Sequence, residues 1–159
     1  MNFPACRPLL FGLLIALGFP QAAVAGPDAG QVPGTDIAML PPNGFQASTR
    51  FRGFEHSNYL ATIMVVEIPG PVADIQNGMT RDGLASRGMI LLSSETRPWN
   101  SEQALLLHVS QRAGGVDFRK WILVVGSEKS TTMIVGSYPV KKDELSTPIR
   151  KAMLGAARG

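Results

Sequence analysis

Gly114 and Gly115 interrupt the stretch "LLLHVSQRAGGVDFRKWILVVG" at residues 105–126, and they leave it little choice of fold. A glycine pair between two apolar, β-branched runs signals a two-residue hairpin turn, whose central positions both need positive φ. Closing the chain there sets Ala113 opposite Val116, Arg112 opposite Asp117, Ser110 opposite Arg119 and His108 opposite Trp121. A second polar turn, "GSEK" at residues 126–129, leads into "STTMIVGSY". Read as a tight turn, it sets Trp121 opposite Ile134, Arg119 opposite Gly136 and Asp117 opposite Tyr138.

Side chains alternate along a strand, so this three-stranded meander has two faces. One carries Leu105, Leu107, Val109, Phe118, Ile122, Val124, Met133 and Val135, and reads as the main core face. The other is mixed. Leu106, Leu123, Val125 and Ile134 lie at one end, Ser110, Arg112, Asp117, Arg119 and Tyr138 at the other, with His108 and Trp121 between. Trp, Tyr and Arg are enriched at interface hot spots, so His108, Arg119, Trp121 and Tyr138 are the candidate binding residues. The competing expectation is a helix laid over this face, with His108 a satisfied structural residue. Arg112 and Asp117 read as an exposed cross-strand ion pair, not a catalytic dyad.

The rest of the chain supplies partners for the meander. "DIAMLPP" (residues 36–42) predicts a short strand, and "PNGF" a tight turn. "FQASTRFRGF" (residues 45–54) alternates apolar and polar, which predicts one half-buried strand. "YLATIMVVEI" (residues 59–68) is almost continuously apolar and predicts an interior strand. Residues 69–88 predict a short helix, with Pro71 in its first turn and Val72, Ile75 and Met79 on one face. "MILLSSETR" predicts a strand and "PWNSE" a loop. Leu145, Ile149, Met153 and Ala156 mark a terminal helix, which begins at Pro148 with Thr147 as cap or begins near Asp143 and kinks. The fold class is α+β: an antiparallel sheet of five to seven strands flanked by two main helices.

The N-terminus has a different purpose. Arg7 precedes an unbroken apolar run at residues 9–19, followed by Pro20 and the small residues Ala23 and Ala25. The run is too short to span a bilayer as a helix. The order is that of a secretory signal peptide cleaved between Ala25 and Gly26. Residues 26–34, "GPDAGQVPG", read as a flexible leader, and residues 35–159 as a single domain. The lone Cys6 leaves with the signal, so the exported chain carries no thiol chemistry. Its charge, 14 basic against 12 acidic residues once Arg7 is gone, is too slight to argue for nucleic acid. The expected location is secreted or periplasmic, as a monomer with no membrane span.

Several features together resemble the Mog1/PsbP-like family, which includes the bacterial periplasmic DcrB-like and LpqN-like proteins. They are the entry "LPPNGF", then "FRGF", the Pro-flanked short helix, "GMILLSSE", the hairpin "QRAGGVDFRKW" and the terminal helix. The resemblance spans about residues 35–157. It implies an α/β/α sandwich around an antiparallel sheet, and accessory or assembly proteins that bind other proteins. It transfers no site residue, and the metal-associated histidines of photosynthetic members have no matching motif here.

Recognisable catalytic chemistry is sparse. His56 and His108 are the only imidazoles, with no H-x-x-x-H spacing and no exported cysteine to join them, so neither a metal nor a cofactor is expected. No G-x-S-x-G elbow and no phosphate-binding glycine loop occurs. Ser127 beside Lys129 reads as a polar turn. The expected function is a non-enzymatic accessory acting on another envelope protein. The alternatives are a small hydrolase with a Ser/His site assembled in space, and an apolar-ligand carrier with a cavity between sheet and helix.

Overall fold

In the computed structural model, which describes residues 30–159, Gly114 and Gly115 take φ values of 56° and 79° and close the expected hairpin. Around it the chain forms β1 (Ile37–Ala38), β2 (Phe45–Ala47), β3 (Gly53–His56), β4 (Thr62–Pro69), α1 (Val72–Asn77), α2 (Arg81–Ala85) and β5 (Met89–Trp99). Then come β6 (Glu102–Ala113), β7 (Val116–Gly126), β8 (Ser130–Pro139), a 3₁₀ turn (Val140–Leu145), α3 (Ser146–Leu154) and β9 (Ala157–Arg158). Seven strands make one antiparallel sheet in the order β2-β3-β4-β8-β7-β6-β5, and β1 pairs with β9 in a second, small sheet. The helices α1 and α2 pack on one face of the large sheet and α3 on the other. The protein is α+β, as its patterning predicts. The expected signal segment, the Ala25–Gly26 junction and the first part of the leader lie outside the described residues.

Several local expectations are corrected. The alternating residues 45–54 form two strands, not one. Ser48 Oγ accepts from Arg50 N at 3.1 Å, and Ser48 N donates to Gly53 O at 2.9 Å, folding the chain back. Gly53 sits at φ 145°, where a Cβ would lie 2.0 Å from Ile63 O. Alternation alone cannot reveal such a reversal. Residues 69–88 form two short helices, because α1 stops at Gly78 and Thr80 restarts the chain as a cap, its Oγ1 accepting from Gly83 N at 3.1 Å.

The expected loop at "PWNSE" shrinks to Asn100 and Ser101, with Asn100 at φ 52°. Trp99 belongs to β5 and is buried, its indole N–H donating to Met153 O at 3.2 Å. Helix α3 starts at Ser146, so Pro148 falls in its first turn, where a missing N–H breaks no intrahelical bond. Residues 30–34 of the expected leader are ordered. Val32 is fully buried and its N–H donates to Ile37 O at 2.8 Å. A lone valine among Pro, Gly and Gln has no period, so only its distant neighbours reveal its role.

The two faces carry the expected residues, but their ranking is reversed. The larger core lies on the mixed face, where Leu106, Leu123, Val125 and Ile134 meet Ile149 and Met153 of α3. Phe54, Ile63, Val65, Trp99, Val32 and Met39 complete it, all from segments remote in sequence. The uniformly apolar face forms the smaller core, because only the short α1 and α2 cover it.

Candidate functional site

The candidate residues sit on β6, β7 and β8, and the register of these strands decides which of them meet. The first hairpin pairs as expected, with His108 opposite Trp121 and Ser110 opposite Arg119. The second register is displaced by two residues. Trp121 lies opposite Gly136 and Arg119 opposite Tyr138, where Ile134 and Gly136 were expected. The reason is the turn. Ser127 N donates to Ser130 O at 2.9 Å and Lys129 N to Ser127 Oγ at 3.1 Å, so the turn centres on Glu128 and Lys129, one residue later than expected, and Gly126 pairs with Thr131 instead of Lys129. An even displacement preserves side-chain parity, so the faces survive while the neighbours change.

One row across the mixed face therefore reads Ser93, His108, Trp121, Gly136, Ile63. The rings of His108 and Trp121 stack with centroids 4.0 Å apart and planes 7° from parallel. Helix α3 lies directly on Gly136, where a Cβ would stand 2.2 Å from Ile149 Cγ2. At the start of the helix, Ser146 Oγ accepts from Trp121 Nε1 at 3.1 Å and from Tyr138 OH at 2.7 Å. Tyr138 in turn lies 3.2 Å from His108 Nε2. Tyr138 OH and His108 Nε2 share one hydrogen bond, whose donor is set by the imidazole tautomer. Arg150 of α3 caps the Trp121 ring at 5.2 Å and pairs with Glu95 at 3.2 Å.

Burial lowers the His108 pKa from its ordinary value; Arg119 and Arg150 act in the same sense and Asp143 against them. Burial raises that of Tyr138, opposed by its hydrogen bond to Ser146. This His-Tyr-Ser chain has the elements of a proton relay but not the setting of one. Ser146 accepts two hydrogen bonds and lies behind Tyr138 as seen from His108, so the imidazole does not address it as a base would a nucleophile. Three of the four candidate residues thus join α3 to the sheet. Tyr138 is fully buried, while His108 and Trp121 keep an exposed edge.

The fourth, Arg119, is set apart. Its row, Ile90, Ser110, Arg119, Tyr138, borders the start of α3 at Tyr138, and its other three members line a cleft of about 410 Å³. The Arg112–Asp117 pair on its rim is formed at 2.9 Å and solvated, as expected. On the opposite face sequence reasoning missed Lys120. It stands in line with Phe118, Ile122 and Val124, and burial lowers its pKa. Its cleft, about 280 Å³, includes Tyr59, Thr62 and Ser137. The available signal was a lone cation at an apolar parity position. His56, expected in a turn, is the last residue of β3 opposite Phe45, and its Nδ1 accepts from Asn58 N at 3.1 Å in the turn that follows.

A third cleft, about 450 Å³, runs along the outer side of α3 against Leu40 and Pro42, not between helix and sheet where a carrier cavity was expected. Among the described residues no cluster of three His, Cys, Asp or Glu could hold a metal, and no helix is long and apolar enough to cross a membrane.

No family model matches the sequence, and no curated protein does. Solved structures do. LpqN of Mycobacterium tuberculosis, described as involved in cell envelope biogenesis, superposes with a TM-score of 0.57 at 12% identity, over 73% of this chain and 78% of its own. The cyanobacterial PsbP (CyanoP) of Synechocystis sp. PCC 6803 superposes with a TM-score of 0.56 at 17% identity, over 90% of this chain and 99% of its own. The fold is PsbP-like. PA94 of Pseudomonas aeruginosa, a protein of unknown function, adds a TM-score of 0.52 at 18% identity, over 81% and 85%. Within this PsbP-like fold Trp121, stacked on His108, and Tyr138 hold the start of the terminal helix through Ser146, and Arg119 lies beside that start.

Proposed function

We propose that this chain is an exported accessory protein that binds another protein of the cell envelope and catalyses no reaction itself. One observation carries the reading: His108, the imidazole with hydroxyl neighbours, is committed to a stack and a hydrogen-bond chain beneath α3 rather than to a cleft. A hydrolase needs its base, nucleophile and oxyanion donors to meet around an open site. Here the open surface and the titratable cluster are separate. The likeness to LpqN, a protein of cell envelope biogenesis, supports an envelope setting. So does the signal-like order of residues 1–25, with release after Ala25 and action as a monomer.

The experiment is affinity capture from an envelope extract with the mature protein, beside labelling with a serine-directed fluorophosphonate. Specific envelope proteins captured without covalent labelling are the expected result. Stoichiometric labelling of Ser146, or full retention of the protein in the cytoplasm on fractionation, overturns the reading.

A further inference from the structure

We propose that the cleft between Ile90, Ser110, Arg119 and Val140 is the docking point for a carboxylate side chain of a protein partner, with Arg119 as its ligand. The inference rests on the accessory reading above and names the chemistry of its contact.

Arg119 is partly buried, yet it takes part in no ion pair among the described residues. Its Nε is sealed from solvent and has no hydrogen-bond partner. A partly desolvated cation without an acceptor is costly to keep unless something supplies the acceptor. The acids nearby are otherwise placed. Asp117 is engaged by Arg112, and Asp143 acts on His108 and Tyr138 without forming an ion pair to Arg119. A planar guanidinium offers two parallel donors, which fits a carboxylate better than any neutral group. Ser110 and Gln111 add polar groups to the same cleft.

The walls favour a protein segment over a free small acid. Ile90 is 64% exposed and Val140 37% exposed, on opposite sides of Arg119. A cation without an ion pair among the described residues, between two exposed aliphatic side chains, is a partly desolvated centre with apolar groups on two sides and the solvated Arg112–Asp117 pair on the rest of its rim. Its complement is an acidic residue flanked by apolar ones. Helix α3 begins short of this point, with its first residue Ser146 bonded to Tyr138, and the hairpin tip at Gly114 and Gly115 lies farther along β6 and β7.

The test uses the acetylated, amidated tripeptide leucyl-glutamyl-leucine and its glutaminyl counterpart. The Nε–H resonance of Arg119 is followed by NMR, with sodium acetate and sodium chloride as small-ion arms. The glutamyl peptide should shift that resonance and bind at least about tenfold more tightly than the glutaminyl one. Arg119→Gln should abolish the difference, and Arg119→Lys should keep part of it. Because the Arg119 side chain makes no ion pair or hydrogen bond among the described residues, neither variant should lower the melting temperature, and Arg119→Gln should hold or raise it; Ser110→Ala serves as a second variant within the cleft. Equal shifts of Arg112 and Arg119, acetate binding as well as the peptide, or no shift at all would each overturn the proposal. Envelope capture separates the two readings. If wild type and Arg119→Gln retrieve the same partners, the site is wrong and the accessory role stands. If the tripeptide binds at Arg119 but the wild type retrieves nothing, the site stands and the accessory role fails.

Discussion

The indole of Trp121 lies flat against the imidazole of His108, 4.0 Å between centroids, and Ser146 of α3 takes up the indole N–H at 3.1 Å. The stack therefore acts as a fastening between sheet and helix. Trp121→Ala should cost about 2–4 kcal/mol in urea unfolding, within the range for large aromatic truncations tempered by partial exposure. Trp121→Phe keeps an aromatic ring against His108, though a smaller one, and loses the hydrogen bond, itself worth about 1 kcal/mol. An unchanged midpoint for the alanine variant would mean the helix is held elsewhere.

Gly136 leaves α3 room to approach. A Cβ there would stand 2.2 Å from Ile149 Cγ2 and 2.8 Å from Met153 Sδ. The thioether can swing aside, but a β-branched side chain is stiff. Gly136→Ala should destabilise by about 1–3 kcal/mol. Combined with Ile149→Ala it should cost clearly less than the two separate losses, as expected for residues in contact. Strict additivity in the thermal melts would contradict this contact.

Stability should decline as pH falls through the histidine range. Burial holds the folded His108 pKa below its ordinary value of 6.5, so the unfolded chain takes up the proton first. Above that value the contribution is fully present. It shrinks between the unfolded and the lower folded pKa, then levels off. Melting temperatures recorded from about pH 7.5 to about pH 5 should show a slope that His108→Gln flattens. The same slope in the variant would assign it to another group.

Ile63 is fully buried on the interior strand β4, between Phe54 and Gly136. Ile63→Asp should leave the protein unfolded at room temperature, since an unpaired buried charge costs several kcal/mol against a total of about 5–15. A cooperative melt with native-like far-UV circular dichroism would refute that placement.

What the sequence discloses follows from how local each determinant is. Gly114-Gly115 admits a single short turn, so the β6–β7 register is readable to the residue. "GSEKS" can turn at Ser127-Glu128 or at Glu128-Lys129, and only the hydrogen bonds at Ser127 choose, so β7–β8 is readable only to parity. That slip moved Gly136 away from Trp121 in the expected row and hid the place where the helix sits. Val32 and Trp99 are buried by segments far along the chain, and no window around either residue predicts it. Arg119 was legible as a residue type suited to binding, but its lack of a counter-ion among the described residues is a property of the assembled fold.

The pairing of β1 with β9 sets Ile37 opposite Arg158, and Gly159 N–H donates to Asp36 O at 2.7 Å. Gln31 bridges Ala38 from the other side, so the first and last described residues flank β1. Tension applied between them would load this small ribbon first instead of shearing the large sheet. Tethered at both ends, the fold would yield first at this clasp and pay out slack before its core felt the load. Joined there by a short linker, the chain would become a ring, open to re-cutting at an exposed turn as a circular permutant.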